Sequence, residues 1–166
     1  NGASGYFNGS TDYLSFPSSS VFDWTSSDLT FEGWIYIPAL TGTHVMWGTH
    51  SGANDGKTAC YVYSTGSIGI GKIGTNEIVS ATGVISTNTW HHVAFVRSGT
   101  AASSTTKIYV NGVSVASNTT AVWSTGSSAF YIGYANPSNG KYWNGYISNF
   151  RLTTSAIYTS AFTPTM

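Results

Sequence analysis

The chain alternates between short hydrophobic runs and short polar segments. The runs are rich in Val, Ile, Tyr, Phe, Trp and Thr, which favour strands, and Gly, Asn, Ser and Thr bound most of them. Asn111-Gly112 separates two runs by two residues, the strongest hairpin signal in the sequence. Strands are therefore predicted at residues 6–7, 13–16, 29–37, 45–49, 59–63, 67–73, 77–79, 90–97, 107–110, 113–116, 130–134 and 143–152.

Helix signals are weak along the whole chain. Residues 18–24 and 154–158 are each predicted to form at most a turn or two of helix, and neither is long enough to cross a domain. About a dozen strands without crossover helices predict an all-β fold of antiparallel sheets packed as a sandwich. A length of 166 residues fits one such domain, so residues 1–166 are taken as a single unit.

The composition narrows the function classes. Only 7% of the residues are charged, and the net charge is zero. Six Lys and Arg scattered along the chain cannot form the dense basic face that nucleic acid needs, so no nucleic-acid partner is expected. No run approaches the 18 or so apolar residues of a membrane span, so no membrane insertion is expected. The sole cysteine, Cys60, is predicted to be a buried strand residue.

Six motifs follow one another in a fixed order, and together they resemble the laminin G-like domains. They are YFNGSTDYL at residues 6–14, LTFEGWIY at 29–36, WHHVAFVR at 90–97, IYVNG at 108–112, YIG at 131–133 and GYISNFRL at 145–152. The closing stretch AIYTSAFTP at residues 156–164 is similar to endings found in bacteriophage and environmental versions. The resemblance implies a concanavalin A-like jelly-roll sandwich of two antiparallel sheets. Members bind glycans or proteins, often beside a rim calcium, and some relatives cleave glycans.

The acidic residues argue against catalysis. Glycosidases need two carboxylates about 5–9.5 Å apart, and on a strand such pairs stand at alternate positions. The six acids here are not spaced that way on any predicted strand. His91 and His92 are adjacent, so on one strand they point to opposite faces and cannot ligate a metal together. The chain is therefore predicted not to be an enzyme.

A calcium site is predicted from the resemblance. Members with a rim calcium take one ligand from the loop after the strand matched here by residues 45–49, which places Asp55 and Asn54 at the site. A second ligand comes from the loop after the YIG strand, which places Asn136 or Asn139 there. Carboxylate and amide oxygens suit calcium. The alternative is that Asn54-Asp55-Gly56 forms only a tight turn. Asp12, near the opening strand, is a candidate ligand for a separate structural ion.

Aromatic side chains are the predicted ligand platform, because flat rings stack on the apolar faces of sugars. The resemblance puts Trp34 and Trp90 in the core. Near loop ends, where binding residues collect, the sequence places Trp47, Trp123, Tyr134 and Trp143, and amides at Asn136 and Asn139. Plain packing is the alternative for these rings.

These observations lead to one main interpretation and two alternatives. The main interpretation is a non-catalytic, lectin-like adhesion module that binds a glycan or polysaccharide, in an extracellular or virion-surface protein. A larger parent polypeptide or virion assembly is the expected context. The first alternative is a structural or protein-interaction decoration domain of a phage tail or capsid without a glycan ligand, and the second is a glycan-cleaving enzyme.

Overall fold

Two six-stranded antiparallel sheets make up the protein. The computed structural model describes residues 3–24, 27–50, 58–72, 75–99, 104–119, 128–135 and 140–165. The strands are β1 (Ser4–Asn8), β2 (Leu14–Phe16), β3 (Leu29–Tyr36), β4 (His44–His50), β5 (Ala59–Val62), β6 (Ile68–Lys72), β7 (Thr75–Val79), β8 (Trp90–Ser98), β9 (Thr105–Val110), β10 (Val113–Asn118), β11 (Ala129–Ile132), β12 (Tyr134–Ala135), β13 (Lys141–Tyr142) and β14 (Asn144–Thr153).

The strand order defines the two layers. The first sheet runs β1-β14-β3-β8-β9-β10, the second runs β2-β11-β4-β5-β6-β7, and β12 pairs with β13 in a small hairpin. Every recorded pairing is antiparallel. The predicted all-β jelly-roll sandwich of two antiparallel sheets is confirmed.

Each predicted run overlaps a strand of the structure, with two differences of detail. The run 130–134 divides at Gly133 into β11 and β12, and β13 was not predicted. Helix is scarcer than expected among the described residues: within 18–24 only Ser20–Phe22 forms a 3-10 turn, and 154–158 contains no helix. The latter segment instead packs on a sheet, so tertiary contacts override its weak local preference.

The Asn111-Gly112 hairpin is confirmed and has a second role. Both residues have positive φ, 51° and 80°, as a tight two-residue turn between strands requires. Gly112 also accepts a hydrogen bond from the backbone N–H of Phe162 at 3.1 Å. A Cβ at Gly112 would lie 1.8 Å from the Phe162 carbonyl oxygen, so only glycine permits this contact.

The main core lies between the sheets and is strongly aromatic. Leu29, Phe31 and Ile35 alternate along β3 and are fully buried, as one face of a strand predicts. Phe31 stacks on Trp47 from the second sheet, with ring centroids 3.9 Å apart. Burial of several such rings supplies much of the hydrophobic stabilisation, because each carries a large apolar area.

The C-terminal segment, residues 154–165, covers half of the outer face of the first sheet. Ala94, Val96 and Tyr109 on β8 and β9 are buried beneath Tyr158 and Phe162. The Tyr158 and Phe162 rings stack at 3.6 Å with an interplanar angle of 4°. The other half of this outer face carries exposed aromatic rings.

Candidate functional site

Four aromatic rings stand side by side on the uncovered half of that outer face. Tyr6, Tyr146, Tyr36 and Trp90 are directly paired across β1, β14, β3 and β8. Neighbouring ring centroids are 5.1 Å, 5.8 Å and 5.6 Å apart in that order. We call these four residues the aromatic row.

The strand pleat turns the aromatic row towards solvent. Successive side chains on a strand point to opposite faces, and the neighbours Phe7, Ile35 and Ile147 lie in the core. Tyr6 is 56% exposed, and Trp90 is 37% exposed. Exposed apolar rings grouped in this way mark an interaction surface more often than scattered ones do.

A polar pocket of about 270 Å³ adjoins the aromatic row. Trp34 lies two residues before Tyr36 on β3 and pairs with His92 of β8, so the pocket continues the same face. The Nδ1 atom of His92 is buried and has no hydrogen-bond partner among the described residues. The pocket therefore offers polar atoms to a ligand. Its walls include Glu32, Trp34, His92, Asn149, Arg151 and Tyr158.

Glu32 is held as an anion at the base of this pocket. Its carboxylate forms an ion pair with Arg151, accepts a hydrogen bond from the Tyr158 hydroxyl at 2.7 Å, and lies 3.3 Å from His92 Nε2. Burial raises the pKa of Glu32, but the contacts from His92, Tyr158 and Arg151 outweigh it and hold the pKa at about 2. Burial, together with the hydrogen bond to Glu32, raises the pKa of Tyr158 to about 12. Glu32 thus neutralises Arg151 and anchors the C-terminal segment at neutral pH.

A second aromatic group, the tyrosine cluster, consists of Tyr13, Tyr131, Tyr134 and Tyr142. Tyr134, predicted to bind ligand, belongs to it and stacks on Tyr13 with centroids 5.1 Å apart. It also lies 4.8 Å from Tyr142 and 5.4 Å from Tyr131. Burial and the three neighbouring tyrosines raise the pKa of Tyr134. The rings of the tyrosine cluster pack against one another, and Tyr134 is half-buried among them.

Four tryptophans occupy positions opposite to those expected. Trp47 and Trp143, predicted in the ligand platform, are 0% exposed and belong to the main core. They offer no ring face to a sugar, so their assignment is corrected. Trp34 and Trp90, expected in the core, lie on the outer face, where Trp34 is half-buried and Trp90 exposed.

Strand register and local backbone contacts explain why Trp47 and Trp143 are buried. A β-bulge between Val45 and Trp47 shifts the alternation on β4, so that both Met46 and Trp47 join the main core. Trp143 lies between β13 and β14, and its backbone N–H donates to the Gly133 carbonyl at 2.9 Å, which folds the chain inward there.

The remaining predicted site residues lie outside the described residues. They are Trp123, Asn136 and Asn139 of the ligand set, and Asp55, Asn54 and Asn136 of the calcium set. Over the described ranges, no group of three or more His, Cys, Asp and Glu is placed to hold a metal ion. Within those same ranges no helix is both long and apolar enough to cross a membrane. The calcium site therefore stays a prediction.

Sequence reasoning missed Tyr6, Tyr36 and Tyr146. In the sequence each is one of many aromatic residues within predicted strands. Only the pairing of four strands brings the rings together. The alternation on β3 did carry a signal, since Trp34 and Tyr36 share the polar positions of Thr30 and Glu32 rather than the apolar ones.

The family follows from the sequence as a whole. Residues 8–163 match a laminin G-type family profile described as the concanavalin A-like lectin/glucanases superfamily. The chain belongs to this family. No curated protein sequence matches the chain.

Solved structures share the fold. The SAP-like pentraxin of Limulus polyphemus matches with a TM-score of 0.66 at 17% identity, over 93% of this chain and 76% of its own. The Ruminococcus gnavus IT-sialidase CBM40 bound to α2,3 sialyllactose matches with a TM-score of 0.69 at 10% identity, over 94% of both chains. A putative carbohydrate binding protein from Bacteroides ovatus matches with a TM-score of 0.68 at 20% identity, over 92% of this chain and 44% of its own. This chain thus spans less than half of the last protein's length, and identities this low establish the fold alone.

Proposed function

We propose that this domain is a non-catalytic carbohydrate-binding module that holds a glycan chain along the aromatic row. The observation that carries the proposal is the direct pairing of four outward rings, Tyr6, Tyr146, Tyr36 and Trp90, across adjacent strands. Strands lie about 4.8 Å apart, so four of them extend the row over roughly 14 Å. A platform of this length suits several linked sugars rather than one.

The chemistry of the surface favours a sugar over a protein partner. Tyr and Trp combine an apolar ring with a polar group, which matches a sugar's apolar C–H face and its hydroxyls. The adjoining polar pocket supplies the amide of Asn149 and the buried His92 Nδ1. Because Tyr and Trp are also enriched at protein interfaces, the polar pocket beside the aromatic row is the feature that favours a sugar.

The charge balance favours neutral glycans. Arg151 is a cation beside the aromatic row, and its guanidinium is already paired with Glu32. An acidic sugar would find that charge already compensated by a carboxylate, and Glu32 would repel it. We therefore expect neutral polysaccharides to bind better than uronic-acid polymers.

Glu32 supports the non-catalytic part of the proposal. A glycosidase's general acid needs a raised pKa so that it keeps its proton near neutral pH. The pKa of Glu32 is instead held at about 2 by its partners, although burial alone would raise it. Its carboxylate serves to fix Arg151 and Tyr158.

Relatives of the same fold lend support by their ligands. The Ruminococcus gnavus module is bound to sialyllactose, and domain 4 of the Geobacillus stearothermophilus arabinanase AbnA is in complex with arabinotriose. We carry the general activity, glycan binding, to this chain and not the identity of either sugar. An extracellular or virion-surface setting, within a larger polypeptide or assembly, remains part of the proposal and rests on the sequence.

The direct test is affinity electrophoresis in gels that contain β-glucan, xylan, arabinan, mannan or polygalacturonate. We expect retardation by at least one neutral polymer, and Trp90→Ala and Tyr146→Ala should each weaken it at least tenfold. Val113→Ala is the matched control, because Val113 is 61% exposed on β10, outside the row. Unchanged retardation in both row variants would reject the aromatic row, and no retardation by any polymer would count against glycan binding.

We also propose, from the sequence alone, a calcium site that is separate from the aromatic row. Calcium titration should raise the melting temperature, and Asp55→Ala should remove that rise. If the unsubstituted protein shows no calcium-dependent rise in melting temperature, the calcium proposal is rejected. That result would not bear on the aromatic row.

A further inference from the structure

A second cavity of about 200 Å³, which we call the end pocket, opens at one end of the sandwich. It lies where β4 and β14 begin, beside β13 and the residue that follows β1. Asn144 stands two residues before Tyr146 on β14, so about 7 Å of strand separates the pocket wall from the aromatic row. The residues that matter for its chemistry are Thr41, Thr43, His44, Lys141, Tyr142 and Asn144.

His44 is the unusual residue of the end pocket. It is 3% exposed, yet neither ring nitrogen has a hydrogen-bond partner among the described residues. Its ring lies edge-on to Trp143, with centroids 6.1 Å apart at 75°, which fixes its orientation. A buried polar group without a partner is costly, so a residue of this kind at a cavity wall points to a ligand that completes its bonds.

The protonation state of His44 limits what that ligand can be. Burial lowers the pKa of His44, so the ring is neutral at pH 7, with one nitrogen as donor and the other as acceptor. A sugar hydroxyl can both donate and accept, so neighbouring hydroxyls match such a ring. Among the described residues no carboxylate lines the pocket, which argues against a divalent cation.

We propose that the end pocket binds a single sugar unit of the same glycan, at a chain end or branch, with His44 and Thr43 contacting its hydroxyls. The ring of Tyr142 supplies an apolar wall, and Asn144 supplies an amide at the junction with the aromatic row. The inference rests on the proposed function, because it adds a specificity subsite to a surface already assigned to glycans.

The test follows the imidazole signals of His44 by NMR, assigned with His44→Gln. The probes are the methyl glycosides of glucose, galactose, mannose, xylose and arabinose at millimolar concentration. We expect at least one glycoside to shift the His44 signals saturably, and Thr43→Val to weaken that binding at least fivefold. Thr159→Val, a matched change on the exposed C-terminal segment, should leave it unchanged.

The outcomes separate this inference from the proposed function. If no glycoside moves the His44 signals, or if Thr43→Val binds as well as the parent, the end pocket is not a sugar subsite. Trp90→Ala provides the reverse comparison, since it removes a ring of the row and leaves the pocket wall intact. A His44 shift that survives in Trp90→Ala, while polysaccharide retardation is insensitive to that change, would uphold the pocket and reject the row.

Discussion

The outer face of the first sheet has two halves that differ in what covers them. Over β8 and β9, Ala94, Val96 and Tyr109 are buried beneath the C-terminal segment. Over β1, β14 and β3, the rings of Tyr6 and Tyr146 remain 56% and 38% exposed. One sheet thus presents a face closed by its own chain beside an open aromatic face.

This difference separates rings that stabilise the fold from rings that are free to bind. Tyr158 and Phe162 stack on each other and on the sheet, so their apolar area is already used in folding. The rings of the aromatic row touch only at tilted or edge angles and leave area uncovered. Changes in the closed half should therefore lower stability, and changes in the open half should lower ligand affinity.

The largest expected effect concerns Glu32, at the boundary between the halves. The pKa of Glu32 is held at about 2, below its ordinary value of 4.5. The ionised carboxylate therefore stabilises the fold fully above pH 4.5, and this contribution is lost as the pH falls towards 2. The shift corresponds to about 3 kcal/mol of unfolding free energy at neutral pH. Urea unfolding at pH 6 and pH 3 should show about 2 kcal/mol of this loss, because Glu32 is still mostly ionised in the folded protein at pH 3, and Glu32→Gln should reduce it.

Asp12→Asn is the control for the acid effect, because Asp12 lies in the exposed turn after β1, where it accepts a hydrogen bond from the Asn8 N–H. That variant should keep the acid dependence of the parent. If Glu32→Gln keeps it as well, the carboxylate does not anchor the C-terminal segment in the way described.

The second prediction compares one ring from each half. Phe162→Ala should lower the unfolding free energy by about 2 kcal/mol, less than for a fully buried Phe because the ring is half-buried. Tyr6→Ala should change it by no more than about 0.5 kcal/mol. Both values come from urea unfolding at pH 7, and equal losses in the two variants would refute the division into closed and open halves.

Trp34 is half-buried between the halves and meets His92 edge-on at 5.4 Å, so we expect a smaller loss of stability there than at Phe162. Trp34→Ala should cost about 1 kcal/mol of unfolding free energy, and we expect it to lower polysaccharide affinity several-fold. Trp34→Phe keeps a ring and should restore most of both. If Trp34→Ala loses stability but keeps full polysaccharide affinity, Trp34 stabilises the fold and does not bind the ligand.

The sequence determined most of the strands, because β-branched and aromatic runs between turn residues leave few other conformations. It also determined the Asn111-Gly112 turn, whose positive φ values these two residue types tolerate best. The sequence was less informative about which face of its sheet each side chain occupies. On β8 both alternating sets are apolar, with Val93 and Phe95 on one side and Ala94 and Val96 on the other, so alternation alone does not say which side Trp90 faces.

The tertiary structure decided which aromatic rings are available to a ligand. The bulge on β4 turned Trp47 into the core, and the C-terminal segment closed the half of the outer face that carries Ala94 and Val96. The aromatic row depends on register between strands that are far apart in the chain, such as β1 and β14. Local sequence sets the conformation of each strand, but only long-range pairing determines which side chains become neighbours.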